Sequence, residues 1–262
     1  GTLGSTVTMS GGTTLDVDET LTVSGALTQS GAIEIDVASG EVLTYSGAAV
    51  SLGAYTLTMS GGGTLSNTYA FALNHADSKL KLNSITVAKV STSADNSGLD
   101  VDANSTVTSL TVANTTPVSI ASSITLSGGI TVSAGSIKLG EAGTLGSTVT
   151  MSGGKLDVDE TMTLSGALTQ SGAIEIDVAS SKTLTYSGAA VNLGAYTLTM
   201  SGGGTLSNTN AFALNHADSK LLLNSITVAK VSTSANNSGL DVNADSTVTS
   251  LTVANTTPVS IA

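Results

Sequence analysis

The residues best able to do chemistry in this chain are carboxylates at alternate positions. Asp16 and Asp18 in LDVD, and Glu34 and Asp36 in IEID, return as Asp157, Asp159, Glu175 and Asp177. Alternate residues of a strand share a face, so each pair presents two carboxylates on one side. Placed on neighbouring strands these acids would repel, and a bound Ca2+ would relieve the repulsion. A Ca2+ site on these eight residues is therefore one expectation. The other, which fits a chain needing no cofactor, is a solvated acidic face.

Two further stretches invite the same question. DVNADSTVTS at 241–250 places Asp241, Asn243 and Asp245 like the first three ligands of a calcium loop. Ser246 stands where such a loop needs glycine, and Thr252 where a carboxylate should close the shell; the first copy offers Asp102 and Asn104 in swapped order. A polar corner built on Asx turns is the better reading. The segment TLSNTYAFALNHADSKLKLNS at 64–84 holds His75, Asp77 and Lys79, which could be a base, an acid and an electrophile. All three fall within five residues of a polar turn, so a bulged coil or surface loop is expected and no catalytic residue is assigned. The sequons at Asn104, Asn114, Asn236 and Asn255 could carry glycans in a secreted chain.

Composition excludes other classes. The 262 residues carry a net charge of -11 with 3% aromatics and no cysteine, and all 8 basic residues are lysines. Without arginine's bidentate fork and with this charge, nucleic acid is not a partner, since such binding draws on basic contacts to phosphate. No apolar run approaches the ~20 residues needed to cross a bilayer, so no membrane insertion is expected. Neither a disulfide framework nor a thiolate metal site is available. Gly1 follows no charged and apolar leader, which fits a mature product or an excised portion.

The elements that must position these acids are repeats. Residues 1–121 return as 143–262 with one deletion and about nine positions in ten identical, and 122–142 lie between the copies, giving a period near 141 residues. Inside each period runs a shorter beat, ITLSGG, ITVSAG, TVTMSGG, TLTVSGA: a few alternating Val, Ile, Leu and Thr residues closed by Ser, Gly or Ala. Alternation predicts strands and the small residues predict bends. Stacking the units gives three rows. Leu15 and Val17 align with Ile33 and Ile35, and these with Tyr55 and Leu57. Leu21 and Val23 align with Leu43 and Tyr45, and Leu27 with Ala49 or Val50. The expected fold is all-β: a parallel β-solenoid, right-handed and three-sided, with about 20 residues per coil. The alternative is tandem immunoglobulin-like β-sandwiches, which ask for longer strands and a bulky central residue. About seven coils per period, with strands ~4.8 Å apart, would add roughly 34 Å of rod. The solenoid is expected to run through 122–142 from the first copy into the second.

TLTVSGA, ITLSGGITVSAGSIKLGEAGTL and YTLTMSGGGTL resemble the repeats of bacterial and archaeal surface β-helix proteins, including autotransporter passengers and filamentous-haemagglutinin-like adhesins. The resemblance implies an extracellular adhesive or structural rod at the cell surface, and it brings no catalytic residues. Neither GTLGSTV nor TTPVSIA reads as a cap, so further copies of the repeat or subunit are expected end to end, and possible lateral partners and surface glycans on the outer faces. A non-catalytic structural or adhesive component of a filament, sheath or giant surface protein is the function expected. Two alternatives stand beside it. A carbohydrate-binding or polysaccharide-degrading β-helix would need basic residues beside clustered acids. An ice-binding solenoid would need T-x-T pairs in every coil of one row, and the Thr56 row carries Asp and Glu in preceding coils.

Overall fold

The computed structural model describes residues 1–94, 97–101, 105–113, 117–120, 129–140, 142–243 and 245–254, with Pro117–Ile120 described by backbone alone. The chain forms two compact units, 1–130 and 131–262, and the division falls inside the segment joining the two copies. Each unit is a parallel β-solenoid of about 20 residues per turn. Among the described residues the strand ladders are parallel, which rules out the antiparallel sandwiches, and the only antiparallel pairs are the isolated bridges Ala38–Gly62 and Ala179–Gly203. No helix is present among the described residues, and none is long and apolar enough to cross a membrane.

In the first unit the first row runs through Thr14–Val17, Ile33–Val37, Thr56–Ser60, Lys79–Leu82 and Gly98–Val101. The second runs through Thr2–Leu3, Leu21–Val23, Val42–Tyr45 and Thr64–Asn67 into the seven-residue strands Thr86–Thr92 and Thr106–Val112. The third holds Val7–Met9, Leu27–Gln29, Val50–Ser51 and Phe71–Leu73. The second unit repeats this plan, beginning its first row at Ser136–Leu139, Lys155–Val158 and Ile174–Val178. Strands this short cannot persist alone; parallel stacking pairs their backbone groups above and below and buries one side chain in two.

The buried side chains form continuous columns, aliphatic in the first row (Ile35, Met59, Leu82 and Val101) and mixed in the second (Val23, Tyr45 and Asn67). Some of the polar groups in this core supply bonds that the ladder lacks. Asn67 is buried; its Nδ2 donates to the carbonyls of Tyr69 and Lys89, and its Oδ1 accepts from the Lys89 N–H. Tyr45 packs its ring 5.9 Å from Phe71, donates from Oη to the Ala48 carbonyl and accepts from the Leu27 N–H. These bonds, with the Gln29 amide on the Leu52 carbonyl, bridge the third row between Leu27–Gln29 and Val50–Ser51. Asn208, Tyr186 and Gln170 do the same in the second unit, and burial pushes the Tyr186 phenol above its ordinary range despite the N–H it receives from Leu168.

The rows follow the expected plan, with one correction of register. Leu21–Leu43 and Val23–Tyr45 pair as the stacking predicted. In the first row, Leu15 pairs with Ile35 and Val17 with Val37, while Ile33 and Ile35 pair with Leu57 and Met59. The expected alignment is thus displaced by two residues at each step. Tyr55, expected inward, lies at the corner and is 39% exposed. A slip of two residues leaves every side chain on the same face, so alternation alone does not detect it. The corner decides the register. Gly61 has φ +101, and a Cβ there would lie 2.3 Å from the Val37 carbonyl oxygen; only glycine lets the SGGG bend close on the coil below at this step.

Candidate functional site

The acids expected to share a face do so, with changed partners. Asp16 pairs with Asp36, and Glu34 with Thr14 on one side and Thr58 on the other. Asp18 leaves the strand for the following bend, so it faces no acid across the ladder. The Ser60 hydroxyl lies 2.8 Å from a Glu34 oxygen and 3.2 Å from one of Asp36, and serves as the shared donor between two carboxylates of one strand. This brings Asp16, Glu34 and Asp36 together on an outward, partly exposed surface.

In the second unit the same surface holds lysines. Lys155 stands in the register position of Thr14 and pairs across the ladder with Glu175. Its Nζ lies 2.5 Å from Asp177, 3.9 Å from Glu175 and 4.0 Å from Asp157. Lys138, one coil earlier, is ion-paired with Asp159. Burial works against the Lys155 charge, but the Asp177 hydrogen bond and the fields of Asp157, Asp177 and Glu175 outweigh it and hold its pKa above the ordinary 10.5. The Asp159 hydrogen bond and charge raise Lys138 as well. Asp157 fares differently: burial pushes its carboxyl above the usual range, and Lys155 does not fully reverse that, because its ammonium sits closest to Asp177. The carboxylates therefore converge on an internal ammonium. Among the described residues no group of three or more His, Cys, Asp or Glu side chains is arranged to hold a metal ion.

The corner motifs resolve into turns. Asp102 and Asn104 lie outside the described residues. Asp241 is on the strand Gly239–Val242, Asn243 donates from its amide to the Asn224 side chain one coil below, and Asp245 is an exposed turn residue at φ +65. Thr252 pairs with Ser232 in a strand and does not close this corner. His75 and Asp77 also form a turn: the Asp77 N–H donates to His75 Nδ1, the His75 N–H to Ser78 Oγ, and Ser78 Oγ to the Gly53 carbonyl. The imidazole is thereby committed to its own loop and is half exposed, and Lys79 forms no ion pair with Asp77 among the described residues. Of the sequons, Asn236 is exposed at a corner, while Asn104, Asn114 and Asn255 lie outside the described residues. Tyr69 is 53% exposed, and its counterpart Asn210 donates to the Gly188 carbonyl.

Sequence reasoning missed the role of Lys155 because it read the acids by type without their ladder register. The signal was present: Lys155 precedes LDVD by one residue, and parity places it on the face of Asp157. Compared with family models, curated proteins and solved structures, the chain matches none of them. The class it defines is a parallel β-solenoid with internal near-identical repeats.

Proposed function

We propose that this chain is a non-catalytic structural or adhesive rod of the cell surface, a segment of an extracellular filament, sheath or giant repeat protein of the kind typified by autotransporter passengers and filamentous adhesins. The observation that carries the reading is how the copies differ. Among the described residues their substitutions fall on outward positions and corners, apart from Leu21 to Met162 and Val23 to Leu164, which keep an apolar core position apolar. A scaffold is held while its surface varies, as expected of a molecule that works by length and by contact.

Coil addition supports the same reading. In the second unit Ser136–Leu139 pairs in register with Lys155–Val158, the strand equivalent to Thr14–Val17. The first coil of a copy is thus built to accept another coil on its edge, and further repeats are the natural end-to-end partner. Outward side chains would supply lateral contacts and any binding to surface glycans. Electron microscopy of the purified protein tests this: rods or filaments with an axial repeat of roughly 34 Å per period are expected from the strand spacing. A glycan array with turnover assays separates the rod from a carbohydrate-active β-helix, which would bind selectively or release product.

A further inference from the structure

Of the T-x-T pairs of the second copy, Thr197 and Thr199 lie on the acidic row, but others stand on a different side of the coil. The second row aligns Thr183, Thr205, Thr227 and Thr247 in one outward column. Thr161 extends that column by accepting the Thr183 N–H at 3.2 Å. Two residues along, Thr144, Thr163, Thr185 and Ser207 form a second column in register. The inward residues between them, including Met162, Leu184, Leu206 and Val228, are buried and hold the face. Neither column contains a charged residue, and the ion pair of Lys182 with Glu160 lies outside both. The hydroxyls of Thr163, Thr185, Thr205, Thr227 and Thr247 have no protein partner among the described residues.

We infer that this face binds ice. The inference rests on the proposed rod and not on its assembly into filaments. Strand spacing sets hydroxyls and methyls on a two-dimensional net of about 4.8 Å across coils and about 6.7 Å along each strand, close to the oxygen repeats on a prism face of ice. Threonine's branched Cβ restricts χ1, so the net is ordered before it meets its partner and little side-chain entropy remains to be lost. Methyl groups between the hydroxyls favour an ordered water layer over scattered hydrogen bonds. The objection raised by the sequence concerned the Thr56 row, and that row does carry acids: Thr58 pairs with Glu34 and Ser60 with Asp36. The face described here is a different side of the coil. In the first copy Val42 interrupts the equivalent column, and Glu41 accepts the Thr20 hydroxyl at its margin.

The test is partition of the purified protein into slowly grown ice, together with the shape of single ice crystals in its presence. Enrichment in the ice and faceted growth are expected. Thr205→Tyr, which breaks the flat face at its centre, is expected to lose both with an unchanged thermal melt, while Asn192→Lys on the third row keeps both. Exclusion of the wild-type protein from ice, or equal loss in the two variants, would overturn the inference. If crystals grow normally and Thr205→Tyr instead alters the sedimentation of the rod, the face is an interface between copies and ice binding is likewise overturned. Electron microscopy of the same sample distinguishes the failures: rods that assemble but stay out of ice leave the proposed function standing.

Discussion

The acidic rows of the two copies carry the same three converging carboxylates and balance them differently. In the first, Asp16, Glu34 and Asp36 are relieved by a hydroxyl: Ser60 lies within hydrogen-bond distance of two of them. In the second, Ser201 still donates to Glu175, and the deletion beside Thr13 with the exchange of Thr14 for Lys155 adds an ammonium among Asp157, Glu175 and Asp177. A neutral donor solves the hydrogen-bonding problem and leaves the charge; a lysine addresses both, at the cost of partly burying itself. The contrast teaches that the row is a structural charge problem, and that a single register position decides whether an ammonium joins the hydroxyl that both copies keep.

The largest expected effect tests whether the copies differ only at such positions. Ile35→Ala and Ile176→Ala remove equivalent, fully buried side chains; each is expected to cost about 2–5 kcal/mol in denaturant unfolding. A clear inequality between them would break the premise of equal cores. Next comes Lys155→Thr, which recreates the first copy's row and is expected to destabilise the second unit by about 1–2 kcal/mol, between the values for exposed and buried pairs. Hydrogen exchange localised to Lys155–Val158 and Ile174–Val178 would read it, and no loss of protection there would remove the lysine from the account.

The reciprocal change, Thr14→Lys, is expected to stabilise the first unit by about 0.5–1 kcal/mol, seen as a shift in urea midpoint. The pH dependence sharpens the same contrast. A raised lysine pKa contributes stability that is complete below the unfolded value and is lost as pH rises through the folded one. The gap between wild type and Lys155→Thr should therefore hold at neutral pH and close above pH 10.5, as followed by thermal melts across that range. The smallest expected change is Val42→Thr, which repairs the second-row column of the first copy. It should leave the melting temperature nearly unchanged while increasing partition into ice.

Much of this molecule is legible in its letters. The alternation of Val, Leu and Thr between glycine-rich bends specified strands, and the spacing near 20 residues specified the rows; Leu21 and Val23 were placed on Leu43 and Tyr45 in the correct register. The first row was misaligned by two residues because a shift of two preserves parity. Asp16 was accordingly set against Glu34, when it faces Asp36, and Asp18 was given a partner it does not have. The threonine columns are a separate case: they lie on the second row, whose register the spacing did place, while the T-x-T test was applied only to the Thr56 row, where acids interrupt it.

By itself, then, the sequence determined what a period of two can determine: which residues face in, which face out, and that the coil repeats. The acids and most of the threonines were correctly assigned to the outside, while Thr92 and Thr233 are buried. The tertiary structure decided who stands above whom. That depends on corner geometry, on Gly61 closing where a Cβ would collide and on Tyr45 and Asn67 supplying bonds the ladder lacks. Those contacts join coils some 20 residues apart, and no local pattern of alternation encodes their register.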